Sequence, residues 1–106
     1  MESLSPLFAA LGDPTRFAVV DRLLRDGELS AGQIAEVAPI SLPAFSRHLK
    51  VLREAGIISQ RTAKQHRMYA VCPDAVQKIS VWALSYREFW ETSLDRLEQA
   101  LDIEEN

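Results

Sequence analysis

Residues 41–70 concentrate the side chains that could bind a charged partner. They hold Arg47, Lys50, Arg53, Arg61, Lys64 and Arg67 against one acid, Glu54, together with both histidines, His48 and His66. The segment carries +5 in a chain whose net charge is −3, which leaves −8 for the other residues. Association with a polyanion follows the local field more than the total charge, so an acidic chain can still present a basic docking face. A charge run can equally be a solvated face with no partner, and composition does not choose between the two.

Other chemistries find less support. Gly12, Gly27 and Gly56 fall where helices should end and Gly32 in a first helical turn, so no glycine-rich phosphate loop is expected. Both histidines lie in the basic segment, and neither is placed to serve a nucleophile or a carboxylate pair, so an enzyme is not expected. One cysteine, Cys72, allows no intrachain disulfide, four-thiolate zinc site or paired redox centre, and a reducing, cytoplasmic setting fits best. The first basic residue is Arg16 and the apolar stretch Leu7–Leu11 is short, so no signal peptide is expected. No apolar run approaches the roughly 20 residues that span a bilayer.

Several local start and stop signals define the elements that would position the basic residues. Ser5-Pro6 reads as a helix start, with Leu7, Phe8 and Leu11 on one face and Gly12 at the end. Asp13-Pro14 repeats that start, and Phe17, Val20 and Leu24, widened by Leu23, give a second helix its apolar stripe until Gly27. Ser30 and Gln33 form a capping box for a third helix of about two turns, with Ile34 and Val37 inward and Pro39 preventing continuation.

Ser41 opens a fourth helix with Pro43 in its first turn, where a missing amide proton costs nothing. The spacing of Phe45, Leu49 and Leu52 turns those three inward, and Leu42, Pro43, Ser46, Arg47 and Lys50 outward. Gly56 ends the helix and Ile57 supplies the apolar contact of a Schellman cap. Residues 57–62 and 67–71 alternate as strands about the polar stretch Ala63–His66, which predicts a hairpin. From Pro73 one long helix is expected toward residue 102, with Val76, Ile79, Ala83, Tyr86, Trp90, Leu97 and Leu101 along one side and Trp82, Phe89 and Leu94 broadening it. The 106 residues suit one domain, mainly α with a small β-hairpin, in the order α-α-α-α-β-β-α.

Two short helices joined by a tight turn, the second bearing an outward hydroxyl and two long cations, meet the physical needs of a helix-turn-helix. Such a face fits the major groove, where arginine can donate two hydrogen bonds to guanine. Arg61, Lys64, His66 and Arg67 on the hairpin would form a wing whose cations neutralise phosphates and fix register. The conjunction of these elements in order favours duplex DNA over a bare solvated face.

The segments LGDPTRFAVVDRLL (11–24), QIA (33–35), SLPAFSRHLKVL (41–52) and EAGII (54–58) resemble the ArsR/SmtB family of winged helix-turn-helix repressors, over about residues 7–101. The resemblance implies five helices plus a wing, and a homodimer that represses transcription by occupying operator DNA. It also implies that the first and last helices, 1–12 and 73–102, form the dimer interface through Leu7, Phe8, Leu11, Val76, Ile79, Ala83, Tyr86, Trp90, Leu97 and Leu101. The wide apolar stripe of the last helix points the same way, because one small core cannot cover it. The DNA-contacting set becomes Ser41, Ser46, Arg47, His48 and Lys50 with Arg61, Lys64, His66 and Arg67; His48, in the family position before a buried leucine, is expected to bond within the helix or face a phosphate. The chain looks like the metal-independent branch. Its third helix reads QIAEV without a thiolate pair, and residues 73–102 lack histidine and cysteine, so Glu88, Glu91 and Asp95 offer only oxygen donors. No metal or cofactor is expected. Ala63-Lys64-Gln65-His66 stands where relatives commonly carry a wing glycine. A winged-helix module that binds an acidic protein is the alternative, which competition on duplex DNA would separate.

Overall fold

The computed structural model describes residues 4–105, with side chains to Asp102. Helix α1 (Ser5–Leu11) is followed by α2 (Pro14–Asp26), a short strand β1 (Leu29–Ser30), α3 (Ala31–Ile34) continued by a 3-10 turn at Ala35–Val37, and α4 (Leu42–Glu54). Strands β2 (Ile58–Ala63) and β3 (His66–Val71) come next, then α5 (Pro73–Ser85) and α6 (Arg87–Glu105). The chain divides into two compact units, residues 1–76 and 77–106. No helix among the described residues is long and apolar enough to cross a membrane. The mainly helical architecture with a hairpin is the one expected, with two refinements in the element order.

The caps explain where the helices of the first unit begin and end. Asp13 accepts from the Arg16 backbone N–H at 3.0 Å to start α2, and Gly27, at φ +78°, ends it. The Ser30 amide donates to Gln33 Oε1 at 2.9 Å while the Gln33 amide donates to Ser30 Oγ at 3.3 Å, a complete capping box. Ser41 Oγ accepts from the Ala44 amide to start α4. At its other end, Ile57 N–H reaches Leu52 O and Gly56 N–H reaches Arg53 O, both at 3.0 Å, with Gly56 at φ +78°. Those two bonds are the Schellman pattern, and Ile57 is buried as that pattern requires. Only α1 departs: Leu4, not Ser5, is its N-cap, no side chain caps it, and Pro6 lies in its first turn.

Val19, Val20, Leu23, Ile34, Phe45, Leu49, Leu52, Ile57, Ile58 and Tyr69 form the core of this unit, joined by Leu7 and Ala10 from α1 and Ala75 from α5. Two expectations are corrected here. The buried face of α2 runs through Val19, Val20 and Leu23, while Phe17 and Leu24 are 58% and 56% exposed. Val20 belongs to both possible stripes, and packing against α1 and α4 selects the one containing Val19. Leu7, assigned to a dimer interface, is instead buried within its own protomer, whereas Phe8 keeps an exposed side chain.

The sheet has three strands in the order β1-β3-β2, all antiparallel. Strand β1, absent from the expected element order, is the first refinement; it pairs Leu29 with Tyr69 and Ser30 with Met68. The hairpin closes from Ile58 opposite Val71 to Ala63 opposite His66, leaving Lys64-Gln65 as the turn. Lys64 adopts φ +57°, the left-handed conformation that a glycine would take most easily.

In the second unit the single long helix is replaced by two, the other refinement. Ser85 Oγ donates to Trp82 O at 2.7 Å, Tyr86 N–H tightens onto Ala83 O, and Tyr86 O then accepts from Trp90 N–H to begin α6. A serine hydroxyl bonding back onto the preceding turn is a known cause of helix bending. The aromatic rings cluster about this break: Trp82 with Tyr86 at 5.7 Å and Phe89 with Trp90 at 5.1 Å, both edge-to-face.

Candidate nucleic-acid interface

Burial of Phe45, Leu49 and Leu52 fixes the rotation of α4 about its axis, and so decides what it shows to solvent. Ser46, Arg47, Lys50 and Arg53 are exposed on its outer side, with Leu42 and Pro43 at its leading end. Among the described residues Ser46 and Arg47 have no hydrogen-bond or ionic partner, so the Arg47 guanidinium keeps all its donors for a ligand. Lys50 lies 3.9 Å from Glu54 one turn on, both exposed, a contact of little energetic consequence. Ser41 is committed as the N-cap, and its oxygen serves the helix.

On the hairpin, Lys64, His66 and Arg67 cluster exposed at the turn, and none of the three is paired among the described residues. Arg61 stands apart from them. Its Nε donates to Glu28 Oε2 at 2.8 Å and its Nη2 to Glu28 Oε1, a bidentate pair. Arg61 lies opposite Met68, which lies opposite Ser30, so its side chain crosses β3 to reach the residue just before β1. The hydrogen bonds and charge of Arg61 hold the Glu28 carboxyl below its ordinary pKa, and Glu28 raises that of Arg61 in return. Arg61 therefore leaves the group of unpaired cations to which its sequence position assigned it.

His48 is also corrected in orientation. Its ring is half-buried and turned toward the junction of α1 and α2, with Nδ1 3.2 Å from Arg16 Nη1 and 3.8 Å from Asp13 Oδ2. Because arginine can only donate, Nδ1 must be the acceptor, which places the proton of the neutral ring on Nε2. Arg16 also donates from Nε to Ala10 O at 2.7 Å, so one guanidinium ties the end of α1 to α4. The Arg16 backbone N–H, with the charge of Arg16 and that of His48 when its ring is protonated, holds the Asp13 carboxyl below its ordinary pKa against the opposing effect of burial. Arg16, Asp13 and Glu28 thus position the interface without belonging to the basic segment. Only the N-cap role of Asp13 left a local trace, since the Arg16–His48 and Glu28–Arg61 contacts join residues 32 and 33 positions apart.

A tri-helical core, a helix held by its inner face with cations outside, and a three-stranded sheet ending in a basic hairpin define a winged helix-turn-helix protein. Residues 11–61 match a helix-turn-helix domain family. The chain is 37% identical to the HTH-type transcriptional regulator Rv2034 of Mycobacterium tuberculosis, covering 90% of this chain and 85% of the relative. It is 36% identical to the transcriptional repressor SdpR of Bacillus subtilis, covering 78% and 91%. The crystal structure of an ArsR family transcriptional regulator superimposes with a TM-score of 0.72 at 32% identity, over 83% of this chain and 90% of that one. The chain belongs to the ArsR family of winged helix-turn-helix transcriptional regulators.

Proposed function

We propose that the protein is a homodimeric, cytoplasmic repressor that occupies an inverted-repeat operator and needs no metal or cofactor. The observation that carries this reading is the outer face of α4, where unpaired Arg47 and Ser46 stand beside Lys50, with a second unpaired group, Lys64, His66 and Arg67, on the hairpin. Ser46 and Arg47 approach base edges; Lys64 and Arg67 neutralise phosphates. The chain acts as one winged-helix domain. Helices α5 and α6, with Phe8 and Leu11 of the 1–12 segment, form the dimer interface. Exposed Val76, Trp82, Tyr86, Phe89, Trp90, Leu94, Leu97 and Leu101 support that role, because so much large apolar surface is seldom left to water. Ile79 is half-buried and Ala83 exposed beside them. Two recognition helices in successive major grooves, about 34 Å apart, require dyad character in the operator. Metal independence is supported by the absence of a histidine or cysteine in residues 73–102, and Glu91 is further engaged by Arg87 at 2.8 Å.

The test uses duplexes selected from genomic fragments. Arg47→Ala should cost about 1–3 kcal/mol on the selected site and less on a scrambled duplex. Lys64→Ala should weaken both alike and lower the salt slope by about one unit. Equal loss on both duplexes for Arg47→Ala would make Arg47 a phosphate clamp. Failure of the wild type to prefer any duplex would favour a protein-binding module.

A further inference from the structure

We propose that Leu42 is a specificity-determining residue that reads thymine through its C5 methyl group; the proposal rests on the DNA-binding reading above and deepens it. Leu42 continues the apolar series Phe45, Leu49 and Leu52 at the spacing of three, four and three, yet those three are buried and Leu42 is 74% exposed. It is the most exposed large apolar side chain among the described residues. The reason is positional. Leu42 is the first residue of α4 and lies one turn beyond the end of the core. No apolar neighbour of its own protomer covers it there, and Ser46, four residues on, lies beside it on the outward edge.

The surroundings restrict what such a side chain can meet. Little in the first turn of α4 can hydrogen-bond a base: Leu42 and Pro43 have no polar side-chain atom, and Ser41 Oγ, held at the N-cap by the bond it accepts from the Ala44 amide, keeps only its O–H to donate. Arg47 and Lys50 stand on the same outer side, within the +5 segment, so the partner of this surface is a polyanion. In the major groove of duplex DNA the thymine methyl is the apolar group on offer, and it sits where the leading end of a recognition helix reaches. Leu42 therefore selects thymine by contact, while Ser46 and Arg47 select by hydrogen bonding.

Deoxyuridine replaces thymidine in the selected operator one position at a time, which removes the methyl group and nothing else from the base edge. Affinity is followed by fluorescence anisotropy for the wild type, Leu42→Ala and Arg47→Ala. One thymine per half-site should be sensitive, with a loss of about fourfold for the wild type, the factor equivalent to about 0.8 kcal/mol for one buried methyl group. Leu42→Ala should bind the unmodified operator several-fold more weakly and be indifferent to deoxyuridine at that position, while Arg47→Ala should still feel it. Because the Leu42 side chain is largely exposed, its thermal melt should match that of the wild type. Indifference of the wild type at every thymine, or an undiminished deoxyuridine penalty in Leu42→Ala, overturns the proposal while leaving Arg47-dependent discrimination intact. Absence of any preferred duplex overturns it together with the DNA-binding reading.

Discussion

Replacing Arg16 by methionine should loosen the recognition helix from the body that carries it. The substitution keeps most of the aliphatic stem and the backbone N–H that Asp13 accepts, but removes the donors to Ala10 O at 2.7 Å and His48 Nδ1 at 3.2 Å. A hydrogen bond from a charged donor contributes about 1.5–3 kcal/mol, less where water can replace it, and a half-buried acceptor left unpaired costs roughly 1 kcal/mol. Both contacts are partly buried, so the combined loss should be about 2–3 kcal/mol, or roughly 10 °C or more in Tm for a chain of this length. Urea unfolding followed by far-UV circular dichroism at fixed protein concentration measures it, with an unchanged m-value as the check on the folded state. The cycle with His48→Ala isolates the pair, and the double variant should be about 1 kcal/mol more stable than the sum of the single losses predicts. In wild-type protein, nitrogen NMR of the neutral His48 ring should find Nδ1 unprotonated and Nε2 carrying the proton. A loss below about 0.5 kcal/mol, strict additivity, or a proton on Nδ1 would refute the reasoning.

Glu28→Gln tests the other long-range tie. Because Arg61 depresses the Glu28 pKa, the stabilisation is full above the ordinary glutamate value, near pH 4.3, and is lost as pH falls through the lower folded-state value. The variant should show a flatter decline of stability than wild type in acid denaturation from pH 5 to pH 3. Leu97→Glu places a charge in the exposed apolar face of α6 and should convert a dimer to monomer in light scattering, with loss of operator affinity and the α-helical signal retained. A dimer that persists would move the interface elsewhere. Zinc, nickel and arsenite titrated into the preformed complex should leave anisotropy unchanged, and release at stoichiometric metal would overturn metal independence, with Cys72→Ser showing whether the thiol is the cause.

The sequence alone determined most of what is local in this protein. Asp13, Gln33 with Ser30, Ser41, Gly27 and Gly56 act on backbone groups no more than five residues away, so their types and spacing suffice to place both ends of α2 and α4 and the start of α3, whereas α3 stops at Ile34, short of the two turns expected. The same holds for the inward face of α4, where Phe45, Leu49 and Leu52 leave a single rotation that buries all three. That rotation is why the spacing alone specifies Ser46, Arg47 and Lys50 as outward.

Only the tertiary structure decided what depends on partners distant along the chain. A strand as short as Leu29–Ser30 carries no periodicity, and it exists because Tyr69 and Met68 present a free edge to it. That pairing brings Glu28 within reach of Arg61 and removes one cation from the exposed set. Arg16 looks like a surface residue of α2 until α4 packs nearby and turns His48 toward it, away from the outward face. Leu7 and Phe17 carry similar apolar signals, yet one is buried and the other exposed, because the shape of the core has room on one side only. Hydrophobic spacing specifies that a face will be covered, whereas which residues at its margins go inside, and which charges meet, follows from the packing of elements that local interactions leave free to rotate.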